Sequence, residues 1–231
     1  MAIDIALHKS IMLQILKDIY SDTSISPFLG FKGGTAAYMF YGLNRFSVDL
    51  DFDLLDEPKK DYVFKRVGQL LKSHGKTKEA REKRFSLFFL LSYREKEHNI
   101  KIEINRRVFG SRYEIKTYLG ISMRVMVRDD MFAHKLMAMY ERLGKTNRDI
   151  YDSWFFLKNN YPINKEIVEQ RAGMPFRNLL KKCIRLLEKT DARNILAGMG
   201  ELLDGKQKTW VKTNLKAETI FLLKLMLNNE K

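Results

Sequence analysis

Between Phe46 and Leu55 the chain reads FSVDLDFDLL, in which Val48, Leu50, Phe52 and Leu54 alternate with Ser47, Asp49, Asp51 and Asp53. A period of two puts successive side chains on opposite faces of a strand, so this segment predicts a β-strand with all three carboxylates on one face. Like charges held that close repel one another and destabilise the strand unless cations or basic side chains offset them. The unrelieved repulsion argues for a ligand.

The flanking segments supply the rest of an α+β fold. IALHKSIMLQILKDIY carries apolar residues at helical spacing and predicts an opening amphipathic helix, which SDTSISP breaks. FLGFK predicts a short strand and GGTAAYMFYG a helix entered through two glycines. A helix is expected from Pro58 to about His74, where Gly75 suits its end. RFSLFFLLSY and NIKIEIN predict an antiparallel pair joined by the charged turn REKEHN, with Lys101, Glu103 and Asn105 on one face, and ISMRVMV a further strand. From Asp130 the period is helical through MFAHKLMAMYERL, and a second helix through NRDIYDSWFFLKN begins near Thr146. From Pro162 onward four more helices and no strand are expected. The expectation is a mixed sheet with flanking helices over residues 1–160 and an all-helical region over 161–231.

The 231 residues suffice for one large domain, or a main domain with an appendage, at roughly 150 residues per domain. The formal net charge of +14 accompanies an ordinary hydrophobic fraction of 45%, which excludes a mainly disordered chain. Ten basic residues against three acidic ones lie between Lys59 and Arg84, and fifteen against eight from Lys158 onward. A basic chain of this kind most often meets a polyanion, since each neutralised phosphate releases counterions; solvated lysine-rich helix faces are the plainer alternative. No apolar run approaches the roughly 20 residues that cross a bilayer, and MAIDIALHKS lacks the organisation of a signal peptide, so a cytoplasmic protein is expected. The lone Cys183, in KKCIRLLEK, reads as a buried structural thiol.

Chemistry concentrates at Lys32-Gly33-Gly34-Thr35 and the following Arg45, Ser47, Asp49 and Asp51. Two glycines at a strand-to-helix turn let backbone N–H groups approach a phosphate, and the helix N-terminus adds its positive dipole end. Carboxylates at i and i+2 can hold Mg²⁺ or Mn²⁺, whose remaining ligands are usually phosphate oxygens and water. Glu103 on a neighbouring strand is the obvious third carboxylate of a site for displacement at phosphorus. Taken singly, a glycine pair is often a structural turn and a DxD often a solvated strand face. Their order on a strand–glycine–helix–strand unit favours the site.

KGGTAAYMFYGLNRFSVDLDF resembles the nucleotidyltransferase signature, a glycine pair followed by DxD, in the form typical of the AbiEii/AbiGii toxin family. FAHKLMAMYERLGKTNRDIYDSWFF is similar to the family's second element, a lysine on one helix and an R/K-D-x-x-D opening the next. The likeness covers roughly residues 28 to 160. It implies a nucleotidyltransferase-like core in which Gly33 and Gly34 bind the triphosphate of an NTP, with Lys32, Thr35, Arg45 and Ser47 in the same nucleotide-binding motif. Asp49 and Asp51 would ligate the metal, while Asp53 lies outside the usual core. Lys135 would contact nucleotide phosphates, and Arg148, Asp149 and Asp152 would complete the site.

Plainer roles exist: Asp149 near a helix start can complement the macrodipole, Asp152 can pair with Arg148 at i+4, and His134 can pack. By resemblance the chain is the toxin of a bacterial toxin–antitoxin or abortive-infection system, working with a cognate antitoxin. It would transfer an NMP to RNA, most plausibly the tRNA 3′ end, and the basic C-terminal third would suit RNA binding. A protein side chain as acceptor and a non-catalytic nucleotide- or RNA-binding module are the alternatives. No helix-turn-helix signature supports a DNA-reading regulator.

Overall fold

The computed structural model describes residues 3–95, 98–191 and 193–230; Lys96 and Glu97 of the expected REKEHN turn lie outside them. The chain divides into two units, Met1–Val108 with Arg112–Val127, and Phe109–Ser111 with Arg128–Lys231.

In the first unit, β1 (Leu29–Lys32), β2 (Leu50–Leu54), β3 (Lys76–Lys83), β4 (Ser86–Ser92), β5 (Ile100–Asn105), β6 (Tyr113–Tyr118) and β7 (Ile121–Met126) form one mixed sheet. Their order is β3-β4-β5-β2-β1-β7-β6. β2 runs antiparallel to β1 and parallel to β5. Register sets the two faces. Phe31, Phe52, Ile104 and Leu87 lie abreast on one face and are buried. Lys32, Asp51, Glu103 and Phe88 lie abreast on the other.

Helices cover the apolar face. α1 (Ile5–Ser21) begins at Asp4, whose carboxylate accepts from the Leu7 N–H at 3.0 Å, and buries His8, Met12, Ile15, Leu16 and Ile19 at helical spacing. Tyr20, at its end, packs against Phe52 with ring centroids 6.3 Å apart. α3 (Lys60–Leu71) buries Val63, Val67 and Leu71, and its Phe64 stacks on Phe89 at 4.9 Å. α2 (Gly33–Phe40) follows β1 directly, turned by Gly33 at φ +83°.

Two strands escape the sequence expectation, β3 (KTKEAREK) and β6 (YEIKTY). Both are edge strands, exposed or half-exposed throughout, so neither shows the alternation that reveals a half-buried strand. Charged residues along an edge also discourage pairing with another chain.

The second unit is helical: α4 (Arg128–Arg142), α5 (Arg148–Lys158), α6 (Lys165–Ala172), α7 (Phe176–Lys189) and α8 (Gly205–Asn229). Among the described residues, three α-helices and a short 3-10 turn, Gly200–Leu202, therefore stand where four helices were expected after Pro162. KQKTWVKTNLKAETIFLLKLMLNN runs as part of one long helix, started by a capping box between Asp204 and Gln207. The expected division after residue 160 also differs from the observed units. α5 is buried from Asp149 to Leu157 because it packs on both α4 and α8, so it groups with the C-terminal helices. Trp154 of α5 donates Nε1–H to Glu218 of α8 at 2.9 Å. α7 buries Phe176, Leu179, Leu180, Cys183, Ile184 and Leu187 on one side. Burial pushes the Cys183 thiol up to about 12, which fits an inert structural residue. Among the described residues no helix is long and apolar enough to cross a membrane.

Candidate functional site

The glycine pair is shaped by its neighbours on the polar face of the sheet. A Cβ on Gly33 would lie 2.8 Å from Asp51 Cβ and overlap its carboxylate, and the positive φ independently excludes most side chains. A Cβ on Gly34 would come 2.6 Å from Ser47 Oγ and 3.2 Å from Arg45 Nη2. Asp51, Ser47 and Arg45 thus press against the turn that opens α2. Thr35 donates its hydroxyl to the Asp49 carbonyl at 2.5 Å, tying the first turn of α2 to the chain that carries Asp49. The N-cap residue, Lys32, makes no side-chain capping hydrogen bond, so the leading N–H groups of α2 are not capped by it.

The carboxylates divide into two groups. Lys101 Nζ lies 3.2 Å from Asp49 Oδ2 and 3.9 Å from Glu103 Oε2. Burial favours loss of its proton, but the charges of Asp49, Asp51 and Glu103 outweigh burial and hold the ammonium above its ordinary pKa. All three charges therefore act on the Lys101 ammonium. Glu103 also accepts from the Ser86 hydroxyl at 2.8 Å.

Asp53 is engaged elsewhere: its Oδ1 accepts from Lys32 at 2.5 Å and Asn105 at 2.7 Å, its Oδ2 from Tyr113 at 2.5 Å. Tyr113 reaches it across Gly30, where a Cβ would stand 2.7 Å from the ring's Cδ1. Asp53 is thus a buried structural anion, and the Lys32 ammonium, expected at the nucleotide, is bonded to it. Burial alone would raise the Asp53 carboxyl; the Lys32 charge, with the bonds from Lys32, Tyr113 and Asn105, instead holds it below its ordinary value. A depressed folded-state pKa adds stability that is present above the unfolded-state pKa and lost as pH falls through the folded one. Asp53→Asn is expected to cost about 2 kcal/mol near neutral pH, with the gap to wild type closing below about pH 4. Urea midpoints measured against pH check this, and a gap that stays constant into acid contradicts the pairing.

In the second unit Lys135 Nζ donates to Asp152 Oδ2 at 2.7 Å, and the Asp152 side chain is only 1% exposed. The Ser153 hydroxyl donates to the Lys135 carbonyl at 3.1 Å, fixing α5 to α4 at the same point. Asp149 accepts from Arg142 through Oδ1 at 2.7 Å, while its Oδ2 is buried without a hydrogen-bond partner. Burial, with the neighbouring Asp152 charge, raises the Asp149 carboxyl against the opposing pull of Arg142, Lys135 and Arg148. The second element of the motif therefore gathers within this unit. His134 is half-buried, in hydrogen-bond contact with Arg171 and with Ser111, each at 2.7 Å.

Residues 14–209 match the family described as Nucleotidyl transferase AbiEii toxin, Type IV TA system. The chain belongs to the AbiEii family. It is a nucleotidyltransferase of the toxin–antitoxin class. Its fold is similar to that of a candidate nucleotidyltransferase from H. pylori, with a TM-score of 0.61 at 20% identity over 97% of this chain and 95% of that one. JHP933 from Helicobacter pylori is similar too, with a TM-score of 0.58 at 20% identity over 97% and 92%. No protein of curated function matches the chain in sequence.

Asp49 and Asp51 fit the metal that AbiEii membership implies: they are hard oxygen donors, Asp51 lies against the Gly33 turn, and magnesium commonly uses one or two carboxylates with substrate oxygens. A third protein ligand is not assembled. Among the described residues no three His, Cys, Asp or Glu side chains gather into a metal-binding group, and Glu103 instead bonds Ser86 and faces Lys101. Lys101, which the sequence reading placed on the Glu103 face without giving it a role, stands beside Asp49 and Glu103. Its signal was present in KIEIN, whose alternation places it on the face of Glu103.

Proposed function

We propose that this AbiEii toxin transfers an NMP from an NTP to an RNA hydroxyl, the tRNA 3′ end, releasing pyrophosphate, with Mg²⁺ or Mn²⁺ held by Asp49 and Asp51. The reading is carried by the fit of Gly33 against the Asp51 carboxylate, which brings the start of α2, given no side-chain cap by Lys32, beside an acidic strand. When bound, the metal supplies positive charge to the phosphoryl oxygens. The chain itself positions the donor: the leading N–H groups of α2 hold phosphate, and Ser47 and Arg45 back the turn. Lys101 offsets part of the negative charge of Asp49, Asp51 and Glu103.

By the family resemblance Lys135, Arg148, Asp149 and Asp152 belong to the same reaction. Their support within their own unit is the Lys135–Asp152 bond, which orients the ammonium; the carboxylate of Asp149 or Asp152 is the base proposed for the attacking hydroxyl. Balance is simple: the hydroxyl oxygen bonds the α-phosphorus, the bond to the pyrophosphate oxygen breaks, and the hydroxyl proton leaves through the base. The toxin would work in the cytoplasm, where RNA and a cognate antitoxin are present.

Incubating the protein and Mg²⁺ with each α-labelled NTP, and with total tRNA or cell protein, tests the acceptor. Label in tRNA with a preferred nucleotide is the expected result. Label in protein alone moves the reading to NMP modification of a side chain, and label in neither rejects transfer to both.

A further inference from the structure

The polar face of the sheet continues past Glu103 to the β3 edge. Register extends the row of Lys32, Asp51 and Glu103 through Phe88 to Arg81, and the row of Gly30, Asp53 and Asn105 through Ser86 to Lys83. With strands about 4.8 Å apart, Phe88 adjoins Glu103 and Arg81 stands one strand beyond it. Lys83 places its ammonium 3.6 Å from the Phe88 ring centroid, and the Arg81 guanidinium lies at 5.8 Å. Where β3 turns into β4, Phe85 is 49% exposed, with the Arg84 guanidinium 4.9 Å and the Arg107 guanidinium 5.7 Å from its ring centroid. Arg107 is tied to the same face by its bond to Asn105 Oδ1 at 3.2 Å.

A half-exposed ring with two guanidinium groups close by offers a stacking surface and phosphate contacts together. That pairing of aromatic platform and basic track is how single-stranded nucleic acid is held without reading its sequence. An acidic protein surface would use the cations and leave the ring idle, and a duplex would hide its base faces. We propose that the β3–β4 edge is a binding surface for single-stranded RNA. A terminal base stacks on Phe85, and phosphates follow Arg81, Lys83, Arg84 and Arg107 along the sheet face that carries Asp49 and Asp51. The inference rests on RNA being the acceptor and deepens that reading by placing the acceptor strand.

The test is equilibrium binding of a labelled oligouridylate and of a blunt RNA duplex, by fluorescence anisotropy, to wild type, Phe85→Ala, Phe85→Trp and Arg84→Ser with Arg107→Ser. A triple Lys181→Ser, Lys182→Ser and Arg185→Ser variant on α7 is the control, and melting curves confirm folding. Phe85→Ala is expected to weaken the single strand about tenfold, Phe85→Trp to restore it, and the arginine pair to reduce the salt dependence of binding by about two phosphate contacts. Duplex binding and Mg²⁺–NTP binding should be unchanged by Phe85→Ala. Oligouridylate binding that survives all the edge substitutions, or a Phe85→Ala loss equal on duplex and single strand, overturns the platform while leaving RNA as acceptor. Wild type that binds NTP but no RNA of either kind overturns both.

Discussion

Asp51→Asn is expected to lower nucleotidyl transfer by at least about a thousandfold while the protein stays folded. The substitution keeps the shape that fits Gly33 and removes only the charge, so the turn and β2 should survive it. What goes is one of two carboxylates able to hold the metal, with no third protein ligand gathered beside them among the described residues. Asp51 is also one of three charges that hold the Lys101 ammonium above its ordinary pKa, so the variant leaves the acidic face with a weaker field as well as a missing ligand. Gradual loss is therefore not expected. Single-turnover rates with labelled NTP, alongside melting curves, make the comparison, and activity within tenfold of wild type would refute the role given to Asp51.

The second large effect is on stability. Asp152→Ala is expected to destabilise the helical unit by about 3–5 kcal/mol, because it leaves the Lys135 ammonium without its 2.7 Å partner at a site where that partner is almost wholly buried. Replacing both members, Lys135→Met with Asp152→Leu, should recover much of the loss, since two apolar groups of similar size bring no unpaired charge. Urea denaturation of the two variants separates these outcomes. A cost below about 1 kcal/mol for the single variant would show that the pair is not held as described. The double variant should still be inactive if Lys135 meets phosphate, which distinguishes its chemical role from its structural one.

Much of the first unit was legible because its decisive elements are half-buried. Period two in FSVDLDFDLL and in NIKIEIN reports a strand with one face against helices, and the glycine pair announces a turn that only glycine adopts. β3 and β6 carried no such signal, since an edge strand wet on both faces has no pattern to show. The role of Asp53 was hidden for a different reason. It depends on Tyr113, sixty residues away in sequence, reaching over Gly30, and a contact of that span leaves no mark on local spacing. In the helical unit the motif residues were visible but their partners were not. The helical spacing of Arg148 and Asp152 suggests a pair along one helix; the bond to Asp152 from Lys135 on the neighbouring helix comes from how α5 packs on α4. The same burial of α5 explains why the units divide before α4 rather than after residue 160.

The most direct test of the acidic face needs no acceptor at all. Mn²⁺ binding, followed by the loss of its free electron-spin-resonance signal in the presence of a non-hydrolysable NTP analogue, should be compared in wild type and Asp51→Asn. Wild type is expected to take up Mn²⁺ with the nucleotide and Asp51→Asn to lose that uptake; equal uptake by both proteins would contradict the assignment of Asp49 and Asp51 as the metal-holding pair.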